Sequence, residues 1–285
     1  MQRLLVLLVA LVVACGGSAA QKCTINVPKP ADPTPFLWRA TKDNVVVWLY
    51  GTIHNGTSAA VPAAAWAALG SSLQFASELG DEEPDSDAIA KLMKIESGKT
   101  LDFLLSPDDW YELRDILRGN VREDELRRFR PWFAMIRLTQ KLSPPPSQTM
   151  DAALADRAKK AGKPVDALET WNAQLETLAA SVTVKDLVDA IHARGKIKCE
   201  LAGMLAFYEA GDADAMKKWL AMESSEKLLG ERNRKWLAQI EAYFATGGAF
   251  IAVGLGHLIG DGNLPALLVE KGYTVERVAS SRGNN

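Results

Sequence analysis

The stretch Val45-Val46-Val47-Trp48-Leu49-Tyr50-Gly51-Thr52-Ile53-His54 decides the fold. An unbroken apolar run, β-branched at its start and stopped by glycine, reads as a strand buried on both faces. The same layout returns near the other end of the chain in Ala249-Phe250-Ile251-Ala252-Val253-Gly254-Leu255-Gly256-His257. Each run leads into a G-x-x-H element, Gly51 to His54 and Gly254 to His257. In α/β sheets the turns beyond the carboxyl ends of strands line the ligand crevice, and glycine permits a sharp turn there. The chain has 3 His, and two of them share this setting.

Working outward, 63–69 reads as a helix and Leu73 to Glu78 as a second strand. Lys163 to Leu168 reads as a short strand entered from a helix that ends at Gly162. Residues 264–271 read as a helix stopped by Gly272, with a further strand from Tyr273 to Val278. Between these lies a mainly helical stretch, about 85–245. Ser106-Pro107-Asp108-Asp109 and Thr183-Val184-Lys185-Asp186 are helix starts with capping residues, and Pro144-Pro145-Pro146 breaks the stretch. The expected fold is α/β: a central mixed β-sheet with flanking helices and a large helical insertion, in a single domain over 36–280. A linker, 21–35, precedes it, and 281–285 is a tail. No repeat is evident.

The chain has 285 residues, 48% hydrophobic and 24% charged, too apolar for a disordered protein. Lys and Arg number 33 against 35 Asp and Glu, so no basic excess points to a nucleic acid partner. Residues 1–20 place Arg3 before an apolar run from Leu4 to Val13 and small residues after it, the layout of a secretory signal. Two processing sites compete. Val12-Val13-Ala14-Cys15 resembles a lipobox, which would make Cys15 a lipid anchor to a membrane face. Ser18-Ala19-Ala20 offers an ordinary cleavage site. The expectation is an exported protein of the periplasm or cell envelope. There a Cys23–Cys199 disulfide competes with two buried thiols.

Glu78 ends the second strand run, and Glu169 ends the Val165-Asp166-Ala167-Leu168 run. An unpaired buried carboxylate is costly, so an acid there implies a partner or a cavity. Two imidazoles and one or two carboxylates at one sheet edge suit either of two chemistries. His54, Glu78 and His257 would hold a divalent metal (zinc, manganese or cobalt) that activates water. Alternatively, a carboxylate-oriented histidine would act as a general base without metal. Glu169 is weighed equally as a cap for the helix that follows it. Arg232, in Glu231-Arg232-Asn233, is read either as a partner of a site acid, as a clamp for a substrate carboxylate or oxyanion, or as an exposed helix arginine. His192 sits at a helix C-terminus and reads as structural. Trp38, Trp48 and Trp66 lie near the first motif.

These motifs resemble, in order and spacing, the TraB/GumN family, which includes the Tiki metalloproteases and is related in fold to the ChaN and erythromycin-esterase proteins. The resemblance runs from Phe36-Leu37-Trp38-Arg39-Ala40 through the first G-x-x-H, Met150-Asp151, Gly162-Lys163-Pro164-Val165, Leu168-Glu169-Thr170 and Glu231-Arg232-Asn233. It closes with Gly254-Leu255-Gly256-His257 and Gly272-Tyr273-Thr274-Val275. It implies an α/β sheet with a helical insertion, a site of His54, His257 and Glu78, and metal-dependent peptide hydrolysis. One departure stands out: Glu78-Leu79-Gly80 with Asp81 next, where members often have Glu-Leu-Asp. Three functions therefore compete. The first is an exported metal-dependent hydrolase of peptide bonds, with Glu169 or Glu78 taking the proton from metal-bound water. The second is a metal-free ester or amide hydrolase with a histidine base. The third is a non-enzymatic binder of a peptide signal.

Overall fold

The computed structural model describes residues 27, 30, 32–81, 85–96, 98–220 and 226–279. The expected signal segment with its lipobox at Cys15, Cys23 and the tail 281–285 lie outside them. Cys199 is disulfide-bonded.

The chain divides into two compact units. The described part of one comprises residues from Ile25–Asp81, Pro146–Thr170 and Gly203–Asn285, and that of the other residues from Glu82–Pro145 and Trp171–Ala202. The helical stretch expected over 85–245 is thus shared between the units.

The first unit holds the sheet. Its strands are β1 (Leu37–Lys42), β2 (Val45–Thr52), β3 (Phe75–Ser77), β4 (Val165–Ala167), β5 (Phe250–Gly254) and β6 (Thr274–Arg277). They lie in the order β4-β3-β5-β2-β1-β6. The run β4, β3, β5 and β2 is parallel, and β1 pairs antiparallel with both β2 and β6. This is the expected mixed sheet with flanking helices. Val47, Leu49, Tyr50, Phe250, Ile251 and Val253 are fully buried. At roughly 1.5–3 kcal/mol for each large apolar side chain, these two strands anchor the sheet, which is why their sequences are so uniformly apolar.

Two differences from the expected elements have physical causes. β1 carries no clean alternation (Leu37, Trp38 and Ala40 are buried, Arg39 and Lys42 exposed), so periodicity does not reveal it. A two-residue turn makes it a strand: Lys42 pairs Val45, and Asp43 and Asn44 take φ of 50° and 64°, the left-handed conformation of tight hairpins. The strand expected from Leu73 to Glu78 contracts to Phe75–Ser77, because Leu73 is exposed and Gln74 turns its side chain to Thr246 and Gly248.

The helical unit is built on the expected caps. The Ser106 hydroxyl accepts from the Asp109 amide at the start of the helix Pro107–Leu117. Thr183 and Asp186 form a reciprocal capping box for Val184–His192. Trp132, Leu113, Leu117, Leu138, Leu187 and Ile191 are buried in its core. His192, in the last turn, meets Asp109 Oδ1 through Nε2 at 2.6 Å. This pairs the ring with an acid at a helix N-terminus.

Candidate functional site

Each of the four parallel strands carries one chemically active residue just past its carboxyl end. Glu169 follows β4, Glu78 follows β3, His257 follows β5 and His54 follows β2. Across the sheet they fall in the order Glu169, Glu78, His257, His54. This is the edge at which open parallel sheets bind ligands.

The glycines of the two motifs bring them together. A Cβ on Gly51 would lie 2.6 Å from Leu255 Cδ1, so the first turn packs directly on the second. A Cβ on Gly254 would lie 3.2 Å from both His54 Nε2 and Glu78 Oε1. Any larger residue would push those two groups aside. The Gly254 amide donates to Glu78 Oε1 at 2.7 Å.

At the centre of the cluster stands Arg232, on the helix Glu231–Ala245. Its side chain is 3% exposed, and those of Glu78 and Glu169 are 8% exposed. Nε donates to Glu169 Oε2 at 3.0 Å. Nη2 donates to Glu169 Oε1 at 2.5 Å and to Glu78 Oε2 at 2.8 Å. Nη1 donates to the Leu228 carbonyl at 2.9 Å and to His257 Nε2 at 3.2 Å. A guanidinium has five N–H donors, and every one is engaged. Arg232 is therefore a partner of the site acids, one of the roles expected of it, and as arranged it has no donor left to clamp a substrate oxyanion. Burial opposes its charge, but Glu78 and Glu169 more than restore it.

His257 is fixed by the same arginine and by Asn233. Nδ1 lies 2.6 Å from Asn233 Oδ1, while the Asn233 amide nitrogen donates to the carbonyls of His257 and Gly262. Because Arg232 can only donate, Nε2 carries no proton and Nδ1 does. Burial, then the Arg232 charge, lowers the pKa of His257 to about 3. The ring is neutral and packs 4.5 Å from Trp236, which also stacks 4.8 Å from the Arg232 guanidinium. Burial pushes Glu78 up, but Arg232 and the neighbouring donors pull it down to about 2.

His54 differs. Nδ1 lies 3.2 Å from Asp151 Oδ2, at the start of the helix Met150–Lys160, and both side chains are 20% exposed. Thr52 Oγ1 donates to the other oxygen, Asp151 Oδ1, at 2.6 Å. Nδ1–H donation to Asp151 leaves the Nε2 lone pair on the Gly254 side of the ring. Burial opposes protonation, but the Asp151 hydrogen bond and charge, aided by Glu78, raise the pKa above its ordinary value.

The arrangement does not fit a metal ion as it stands. The Nε2 lone pair of His257 and oxygens of both carboxylates are already bonded to a buried cation. Among the described residues, no group of three or more His, Cys, Asp or Glu side chains is placed to hold a metal. The structure does bring His54, Glu78, His257, Glu169 and Arg232 into one cluster. Asp81, the aspartate displaced in the Glu78-Leu79-Gly80 segment, is an exposed partner of Lys159. Of the tryptophans it is Trp236, rather than Trp38, Trp48 or Trp66, that walls the cluster. Thr52, Asp151 and Asn233 also belong to the site, without an expected role. Each sits inside one of the sequence motifs, beside a site residue or opening a helix.

No curated protein and no solved structure matches the chain. A profile of the TraB/PrgY/gumN family matches residues 36–277. The match covers both G-x-x-H turns and every residue of the cluster, and the chain belongs to the TraB/PrgY/gumN family.

Proposed function

We propose that this protein is an exported hydrolase of amide or ester bonds, peptides included, in which His54 is the general base and no metal takes part. One observation carries the reading. Of the two motif histidines, His54 alone is oriented by a carboxylate, partly exposed and left with an Nε2 lone pair that no hydrogen bond from the described residues occupies. His257 is buried, with its Nε2 facing Arg232.

In this reading His54 Nε2 takes a proton from water as the oxygen attacks the substrate carbonyl, and returns it to the leaving nitrogen or oxygen. Asp151 holds the tautomer with its proton on Nδ1 and stabilises the imidazolium. Thr52 holds Asp151. Arg232 offers no free donor; it holds Glu78 and Glu169 in place at the edge of the site. Export rests on the layout of residues 1–20.

The test is hydrolysis of a library of fluorogenic peptide, amide and ester substrates after exhaustive dialysis against a chelator. Activity that survives chelation and falls by about 10²–10⁴ in His54→Ala supports the proposal. Equal turnover by His54→Ala and the parent refutes it. Activity lost on chelation and restored by manganese or zinc puts metal-dependent peptide hydrolysis in its place. Binding of library peptides without any product leaves a sequestering protein.

A further inference from the structure

The cluster contains an arrangement that the metal-free reading uses but does not explain. His257 Nε2, Glu78 Oε2 and Glu169 Oε1 converge on one guanidinium edge, at 3.2, 2.8 and 2.5 Å from its two terminal nitrogens. One imidazole and two carboxylates are a donor set that divalent zinc accepts, with a position left for water. The second coordination layer is also present. Asn233 Oδ1 fixes the His257 tautomer from the far side of the ring, and the Gly254 amide holds the other oxygen of Glu78. Such outer partners are what hold ligands in place in metal sites. In this chain they aim the lone pairs at an arginine.

We infer that Arg232 is the resident cation of a latent divalent-metal site, whose ligands are His257, Glu78 and Glu169, and that its guanidinium keeps the site closed to metal. The inference rests on the metal-free reading of the site, but not on His54 acting as a base. The counter-charge comes from a residue rather than from an ion: one guanidinium lies between two buried carboxylates. Removing the guanidinium leaves both acids without their counter-charge and opens room among them. The three ligand atoms, now 2.5–3.2 Å from two separate guanidinium nitrogens, would have to close on one point at the 2.0–2.2 Å typical of zinc–oxygen and zinc–nitrogen bonds.

The experiment compares the full-length parent, Arg232→Ala, and Arg232→Ala combined with His257→Ala. Each is equilibrated with zinc(II), dialysed and measured by elemental analysis, with zinc(II) titrated calorimetrically in parallel. The parent is expected to retain no bound ion that depends on these ligands. Arg232→Ala should retain about one zinc per chain, and the added His257→Ala should weaken that affinity by about 10-fold to 100-fold. To cover an Arg232→Ala chain that folds only with metal, cobalt(II) is added to it while far-ultraviolet circular dichroism and visible absorption are followed. Recovery of helical signal together with tetrahedral cobalt bands supports the inference. A chain that neither folds nor binds cobalt overturns it, as does a folded Arg232→Ala that binds no ion. A parent holding one zinc that is lost in Glu169→Gln or His257→Ala also overturns it, because the guanidinium and the ion cannot share those lone pairs. Full activity in His54→Ala would sink the base reading and leave these metal measurements standing.

Discussion

Arg232→Met should cost about 3–5 kcal/mol at pH 7, the range for removing one partner of a buried ion pair. The substitution keeps much of the side-chain volume, so the loss is electrostatic. Two carboxylates, each 8% exposed, lose their shared counter-charge, and His257 Nε2 loses its donor. Against a total stability of about 5–15 kcal/mol, the variant should fold but be marginal. The pH dependence separates this cause from lost packing. In the parent, the Glu78 pKa is lowered to about 2 from an ordinary value of 4.5. Its contribution is complete above 4.5 and is lost as pH falls through about 2. Without Arg232, the depression of both Glu78 and His257 relaxes, and the variant takes up protons at higher pH than the parent. Each extra proton bound by the folded variant recovers about 1.4 kcal/mol per pH unit. Urea unfolding followed by circular dichroism should therefore show a penalty smaller by about 1–2 kcal/mol at pH 5.5 than at pH 7. A penalty below about 1 kcal/mol at pH 7, or one that does not change with pH, would refute the reasoning.

Further expectations concern the histidines and their supports. The parent should lose stability as pH falls from 6.5 towards about 3, the window over which the unfolded chain protonates His257 and the folded one does not. The expected slope is about 1.4 kcal/mol per unit, and His257→Gln, whose amide oxygen can still accept from Arg232, should flatten it in urea titrations. The raised His54 pKa has the opposite sign: its contribution is complete below 6.5 and is lost as pH rises through the folded value. In the proposed mechanism the base is the neutral ring, so the rate should climb with pH through a midpoint above 6.5, and Asp151→Asn should lower both the midpoint and the rate. Thr52→Val should reduce the rate about 10-fold and stability by about 1 kcal/mol, with Thr52→Ser restoring both; a normal Thr52→Val enzyme would remove Thr52 from the site. Gly254→Ala should cut the rate while leaving the far-ultraviolet spectrum intact, because a Cβ there meets His54 and Glu78 first.

The strands that position the site were legible because a strand buried on both faces has to be apolar throughout, as in Val45 to Tyr50 and Ala249 to Val253. Glycine followed by histidine marked their carboxyl ends. β1 was hidden because its pattern is irregular and its turn is Asp43-Asn44 rather than an asparagine–glycine pair. The convergence of His54, Glu78, Glu169 and His257 was readable as four strand-end residues. What joins them was not. Arg232 lies 63 residues from Glu169 and 154 from Glu78, and sequence spacing carries no sign of which side chains share a hydrogen bond across such gaps. Asp151, 97 residues from His54, was hidden for the same reason. The division of labour between the two histidines follows from burial and partners, which two identical G-x-x-H motifs do not encode.

The pairing of Thr52 with Gly254 at the ends of β2 and β5 has a consequence for how this enzyme-like edge can fail. Alternate positions on a strand point to opposite faces, so a slip of one step between these neighbours would send His54 away from Glu78 while leaving the sheet nearly as well bonded. Misassembled molecules of that kind would pass an inspection of secondary structure and fail only in function. The close seating of Gly51 on Leu255 opposes it, because a shifted strand would lose the contact by which the two turns nest. Fidelity of chemistry in this chain is then decided while the strands dock, before any substrate arrives.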